Sequence, residues 1–238
     1  MAVQSAIDRS KDIITTMPQL ESIPGSPFVR SAALLAGIVI SLAVPAVEKS
    51  QMLDKYMSNI QQLTFEGDNA EAYFSGDGTR LIYQSNRGGQ ACDKIWTMNI
   101  DGSNKQRVSP DHGAHTCSYF FPDDEAIVFA STSELEGNCP PKVEVPEHVR
   151  YAWPLYPYDI YRANPDGSNM QKLTDNPLYD AEPIISPDGS KIVFGSQREG
   201  DFDIYIMDAD GRNVQRLTDT PGYDGAPWFS PDGSQIVW

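Results

Sequence analysis

Two stretches of this chain say nearly the same thing, 44 residues apart. LTDNPLYDAEPIISPDGSKIVF begins at Leu173 and LTDTPGYDGAPWFSPDGSQIVW begins at Leu217. Three marks carry the repeat further back. The first is S-P-D-G at Ser186–Gly189 and Ser230–Gly233, with the weaker copies S-G-D-G at Ser75–Gly78 and F-P-D-D at Phe121–Asp124. The second is a D-G turn at Asp101-Gly102, Asp166-Gly167 and Asp210-Gly211, each followed two residues on by Asn. The third is Leu-Thr at Leu63, Leu173 and Leu217, with Val108-Ser109 as its variant. The first mark recurs after 46, 65 and 44 residues, the second after 65 and 44, the third after 45, 65 and 44. Independent marks stay in step, and all of them place an insertion of about 20 residues in the second copy.

Between the marks the pattern is that of strands. RLIYQS and KIVFGS are short β-branched and aromatic runs bounded by turn residues, and KIWTMNI, DIYRANP and DIYIMDA alternate apolar and polar positions. Proline presets φ, aspartate bonds its own backbone and glycine accepts positive φ, so Pro-Asp-Gly closes a tight turn. Each unit reads as four antiparallel strands A to D, with S-P-D-G between A and B. A repeat of about 40–45 residues with four strands is one blade of a β-propeller. An ordinary β-sandwich also turns every 8–12 residues, but it does not repeat the same side chains in the same strand.

The run from Ser186 to Thr218 resembles the TolB-type propeller repeat, a WD-like family; the match is good from Leu63 to Ser109 and looser from Asp111 to Thr174. The resemblance implies an all-β propeller of four-stranded antiparallel blades, here incomplete and open. The units fall at about 63–108, 109–173, 174–217 and, in part, 218–238, or about three and a half blades, with the insertion at 133–158. Relatives of this kind close a ring of six or more blades, so the sequence reads as a fragment of a longer product. Propellers host unrelated roles, and the resemblance alone assigns none.

Residues 1–57 read as a leader with a short helix. Its apolar run, Ala32–Val47, has 16 residues, short of the ~20 that span a bilayer as a helix. The length and the V-P-A at Val44–Ala46 suit a secretory signal or a membrane tether at 32–47, and hence a periplasmic or extracellular protein. Net charge is −15, from 33 acidic and 18 basic residues. That repels nucleic acid and anionic membranes as partners. Much of the acid is turn aspartate placed for backbone reasons. Three cysteines in an exported chain suggest one bridge and one thiol. In a propeller the starts of strands A and C and the B–C loop share a face, which brings Cys92, Cys117 and Cys139 together. A bridge involving Cys117 is expected, with Cys139 favoured over Cys92 as its partner.

Two binding surfaces stand out. Strand A is innermost in a blade. Aligned on S-P-D-G, Glu71, Cys117, Glu182 and Ala226 share one position, and Asn69, His115, Asp180 and Asp224 share the position two residues earlier. Period-2 geometry puts both sets on one side, as an acidic channel rim of Asn69, Glu71, His115, Asp180, Glu182 and Asp224. Such a rim suits a cationic peptide or a metal ion; a solvated tunnel is the plainer reading. The insertion contributes Tyr151, Trp153, Tyr156 and Tyr158, residue types enriched in interfaces, although they can equally cap their own blade. Arg87 and Arg198, at equivalent positions, are expected to bond within their sheets.

Catalytic signals are absent from the sequence. It has no G-x-S-x-G elbow, no C-x-x-C and no phosphate-binding glycine loop. D-A-D-G-R-N at Asp208–Asn213 recurs as a hairpin turn, so it does not read as a calcium loop. No metal site and no cofactor are called for. The expectation is a non-enzymatic binding module or scaffold for a protein or peptide, with any small ligand unspecified. The rival is the propeller domain of a larger hydrolase or polysaccharide lyase.

Overall fold

Fourteen strands make up the described part of the chain, in a computed structural model that describes residues 57–238 apart from 143, 145–146 and 149–154. The expected helical leader, the tether at 32–47, Tyr151 and Trp153 lie outside these residues. Among the described residues no helix is long and apolar enough to cross a membrane.

Each repeat folds as a meander. The first sheet is β1 (Asn69–Phe74), β2 (Arg80–Ser85), β3 (Lys94–Asn99) and β4 (Gln106–Arg107). The second is β5 (His115–Phe120), β6 (Ile127–Ser131), β7 (Asp159–Ala163) and β8 (Gln171–Lys172). The third is β9 (Asp180–Ile185), β10 (Lys191–Ser196), β11 (Asp203–Asp208) and β12 (Gln215–Arg216). β13 (Trp228–Phe229) and β14 (Ile236–Val237) form a two-stranded sheet. All neighbours within a sheet are antiparallel.

The core lies between sheets. Along β6, Ile127 and Phe129 face the first sheet, where Ile82, Ile95 and Val108 await them. Val128 points the other way, with Ile160, onto Ile192 and Phe194 of the third sheet. β6 is therefore buried on both faces, and its sequence IVFAS lacks the alternation of a half-exposed strand. The third sheet meets the last one through Ile184, Val193, Ile204, Phe229 and Ile236.

The three repeated marks prove to be stitches. The Thr or Ser of the Leu-Thr mark accepts the backbone N–H of the strand-C isoleucine: Ser109 from Ile95, Thr174 from Ile160 and Thr218 from Ile204, each at 2.9 Å. The D-G turn of one unit backs onto the Leu-Thr mark of the preceding one. A Cβ on Gly167, at φ +84°, would strike the Val108 carbonyl, and one on Gly211 would lie 2.7 Å from the Leu173 oxygen. The strand A–B turns also meet across sheets: Asp124 accepts the amides of Gly76 at 2.6 Å and Asp77 at 2.9 Å. Marks that join units must keep pace with the units, which explains their shared spacing.

Candidate functional site

Strand A does not run straight. In β1, β5 and β9 the pairing register shifts in mid-strand. The residue at the shift has positive φ: Glu71 at 49°, Cys117 at 52° and Glu182 at 59°, with Ala226 at 51° just before β13. Non-glycine residues rarely adopt this region, and a bulge of this kind re-aims a side chain.

The bulge overturns the expectation that the two rim positions share a side, because the extra residue breaks the period of two. Glu71 and Glu182 line a cavity of about 510 Å3 together with Leu155, Tyr179, Phe202 and Tyr223. Below it, a space of about 100 Å3 is lined by the same two glutamates with Tyr73, Cys117, Tyr119, Ile184, Ala226, Pro227 and Trp228. The earlier set goes elsewhere. Asp180 is fully buried in its own sheet, bonded to Ser196 at 2.5 Å, Asn176 at 2.9 Å and Arg198 at 2.9 Å. His115 is fully buried, its ring set edge-to-face against Phe129 with centroids 5.7 Å apart. Asn69 is exposed and donates to the Glu66 and Gly67 carbonyls, and Asp224 accepts from the Thr220 hydroxyl at 2.6 Å.

The glutamates differ in their surroundings. Glu182 accepts the Ala226 amide at 2.6 Å and the Tyr223 hydroxyl at 3.1 Å. Burial pushes the Glu71 carboxyl above its ordinary value and Glu182 adds to the rise, while the adjoining Cys117 thiol and amide oppose it. Burial, then the Glu71 charge, pushes the Cys117 thiol well up. A thiol held protonated is a poor nucleophile.

Aromatic rings pave the approach. Tyr156 and Tyr158 lie 6.1 Å apart, Tyr158 and Tyr179 5.9 Å, Tyr179 and Phe202 4.9 Å, and Phe202 and Tyr223 4.8 Å. The run therefore extends from the insertion to the approach to β13. Deeper in, Tyr73, Tyr119 and Trp228 cluster at 4.1, 5.5 and 5.6 Å. The sequence reading missed Tyr179, Phe202 and Tyr223. The signal was present in the repeat: Tyr179 and Tyr223 each precede strand A, and Tyr158 and Phe202 each precede strand C. Of the insertion aromatics, Tyr156 and Tyr158 are described; the Tyr156 hydroxyl donates to the Pro141 carbonyl at 2.6 Å, within the insertion itself.

The expected bridge to Cys117 is corrected. Cys92 and Cys139 are joined, with Cα atoms 5.8 Å apart, and Cys117 is a buried free thiol. The bulge turns Cys117 to the cavity, away from the loops. Cys92 and Cys139 lie on adjoining loops of the first two units, so the bridge ties those units together.

An acidic group also gathers outside the cavity. The carboxylates of Glu134, Asp159 and Asp175 converge within 4.8 Å. Lys172 already supplies their cation, with Nζ at 2.7, 3.1 and 2.7 Å respectively. These bonds hold the lysine pKa above its usual range despite desolvation. The equivalent pair in the third sheet is Arg216 with Asp203, at 2.7 Å. Arg198 pairs with Asp180 and stacks over Tyr205 within its sheet, whereas Arg87 reaches Glu66, in the segment before β1, at 3.4 Å.

Residues 157–238 match the family of the TolB beta propeller domain. Over these residues the chain is similar to that family. Among solved structures, a TolB-type protein from Agrobacterium tumefaciens superposes with a TM-score of 0.58 at 22% identity, over 73% of this chain and 55% of that one. TolB from Acinetobacter baumannii gives 0.55 at 19%, over 71% and 37%. A chain of a nidogen/laminin complex gives 0.54 at 15%, over 73% and 57%. At these identities the likeness is one of fold. The chain spans between 37% and 57% of the length of those three. Among curated proteins, none matches it in sequence.

Proposed function

We propose that this TolB-type chain is a non-catalytic binding module, exported from the cytoplasm, whose cavity between the first strands receives a segment of a protein partner. One observation carries the reading. Two glutamates are held at strained bulge positions in a mouth of aromatic rings, and the larger cavity has a volume within the range of ligand pockets. Backbone strain at a recurrent position is an expense that binding sites typically justify. Aromatic walls supply contact area at low entropic cost, and the acids select for positive charge. The protonated Cys117 and the buried His115 favour binding over nucleophilic chemistry. The nidogen chain, from a complex with laminin, is an example of this fold engaged with a protein. The Cys92–Cys139 bridge and the apolar run at 32–47 suit an oxidising compartment.

The test is selection of binding peptides from a displayed random library on the full chain. Basic, aromatic-tolerant sequences should emerge. Their affinity should fall about tenfold or more for Glu71→Gln combined with Tyr223→Ala, a loss typical of interface anchors. Equal binding to that variant removes the cavity as the receptor. Trp153→Ala asks the same of the insertion.

A further inference from the structure

A second cleft opens between the first and second sheets, away from the two central glutamates. Its volume is about 400 Å3, and its walls carry Asp68, Asp93, Gln84, Asn86, Tyr156 and Tyr158, with His115 at its base. The Cys92 end of the disulfide forms one side. Among the described residues no lysine or arginine lines it. Lys94 faces the neighbouring hollow and donates to the backbone carbonyls of Asp111, at 2.6 Å, and Gly113.

The two carboxylates are aimed by side-chain amides. Gln84 Nε2 donates to Asp93 at 3.3 Å, while its carbonyl accepts the Thr116 hydroxyl at 2.6 Å and the Cys117 amide at 3.1 Å. Asn86 Nδ2 donates to Asp68 at 3.0 Å, and its carbonyl accepts the Asp68 amide at 2.7 Å. Neither aspartate has a cationic side chain as partner among the described residues. Burial and the charge of Asp68 push the Asp93 carboxyl up, against the smaller lowering effects of the Gln84 bond and the Lys94 charge, so the two carboxylates repel each other.

One buried side chain of the cleft wall, His115, also lacks hydrogen-bond partners. His115 is fully buried; the carbonyls of Pro110 and His112 lie near its ring, but neither nitrogen has a partner at hydrogen-bonding geometry. Polar atoms buried in this way normally find a partner in the protein or in a ligand.

We propose that this inter-blade cleft binds an organic cation, an alkylammonium or alkylguanidinium group, between the Asp68 and Asp93 carboxylates and the rings of Tyr156 and Tyr158. A hard divalent ion fits less well. It needs six or more oxygens, and the amide carbonyls of Gln84 and Asn86 are already engaged. An organic cation needs few direct bonds and gains from aromatic faces, which a hydrated metal ion does not. Amide-held carboxylates are preorganised, so little ordering cost accompanies capture. The cleft has its own pair of acids, distinct from Glu71 and Glu182, while Tyr156 and Tyr158 lie between it and the aromatic run of the central cavity.

The experiment is calorimetric titration of the full chain with n-butylguanidinium chloride at low salt, with proton NMR of the histidine C2–H signals in parallel. Saturable binding that moves the His115 signal is expected. Asp93→Asn and Asp68→Asn should each weaken it about tenfold, the equivalent of roughly 1.4 kcal/mol. Glu182→Gln, in the other cavity, should leave it unchanged. Asp68 is exposed, so its variant gives a reading even if Asp93→Asn fails to fold. No saturable binding, equal binding of neutral n-butylurea, tighter binding of calcium chloride, or unaltered affinity in both aspartate variants overturns the proposal. An acetyl-arginine-amide arm identifies the source. Tighter binding than butylguanidinium assigns the site to a peptide side chain, weaker binding to a free small cation, and either result upholds the cleft.

Discussion

The backbone amide of Ala226 donates to the Glu182 carboxylate at 2.6 Å, across the boundary between the third sheet and the residues leading into β13. Tyr223 adds its hydroxyl to the same carboxylate at 3.1 Å. One cavity side chain thus also docks the last sheet. Glu182→Ala should leave the first two sheets intact and speed hydrogen exchange at Ala226. Exchange at Ala226 as slow as in the parent protein would show that the docking rests on Phe229 and Ile236 packing alone.

Thr174 shares its hydroxyl with the buried amide of Ile160. Thr174→Val keeps the shape and orphans that N–H. The expected cost is about 1–3 kcal/mol, read as a lower urea midpoint. Thr174→Ser should restore most of it. Equal stability of the valine variant would mean that water reaches the amide.

Gly167 sits at φ +84° with the Val108 carbonyl where a Cβ would be. Gly167→Ala should cost more than the roughly 1–2 kcal/mol of a left-handed residue alone, because backbone of the preceding unit must also shift. Gly200, at φ +93° with open space around it, is the control and should show only the conformational part. Similar losses at the two positions would deny the inter-unit contact.

His115 is held down to about 3, first by desolvation and then by Lys94. Between that value and the unfolded value near 6.5, the unfolded chain carries a proton that the folded chain does not. Unfolding therefore takes up a proton, and stability falls as pH drops from about 6.5 toward 3, by up to about 1.4 kcal/mol per pH unit. Glu71, Asp93 and Asp180, all raised by burial, oppose this: each gains a proton more readily when folded, which favours folding as pH falls through its folded value. His115→Phe should flatten the loss between pH 6.5 and 5. An unchanged slope, or a His115 C2–H signal that titrates near 6.5 in the native protein, would contradict the assignment.

One disulfide and one buried thiol predict a specific count. Thiol reagent should find no fast-reacting thiol in the native chain, one after denaturation, and three after reduction. The Cys92–Cys139 bridge spans 47 positions, so its removal should cost roughly 4 kcal/mol in the chain-entropy description. Cys117→Ser should preserve the bridge, whereas Cys139→Ser should abolish it.

The repeat marks made the sheets legible because each mark serves a local geometric need that any unit must meet. S-P-D-G closes the A–B turn, D-G closes the C–D turn, and the Leu-Thr hydroxyl caps strand C. Strand order, strand class and the position of the insertion follow from such marks. So does the prominence of position 71/117/182/226, since aligned turns count residues faithfully. Nothing in the local pattern announced the bulge. Glu71, Cys117 and Glu182 are not residues that favour positive φ, yet each sits at the register shift. That single extra residue decided which carboxylates reach the cavity and which stay inside the sheets. It also turned Cys117 away from Cys139. Side-chain direction across sheets is set by packing between units distant in sequence, and only the tertiary arrangement could assign Asp180 to Arg198 and Lys172 to its three acids, and leave the aspartates of the inter-blade cleft without an ion-pair partner among the described residues.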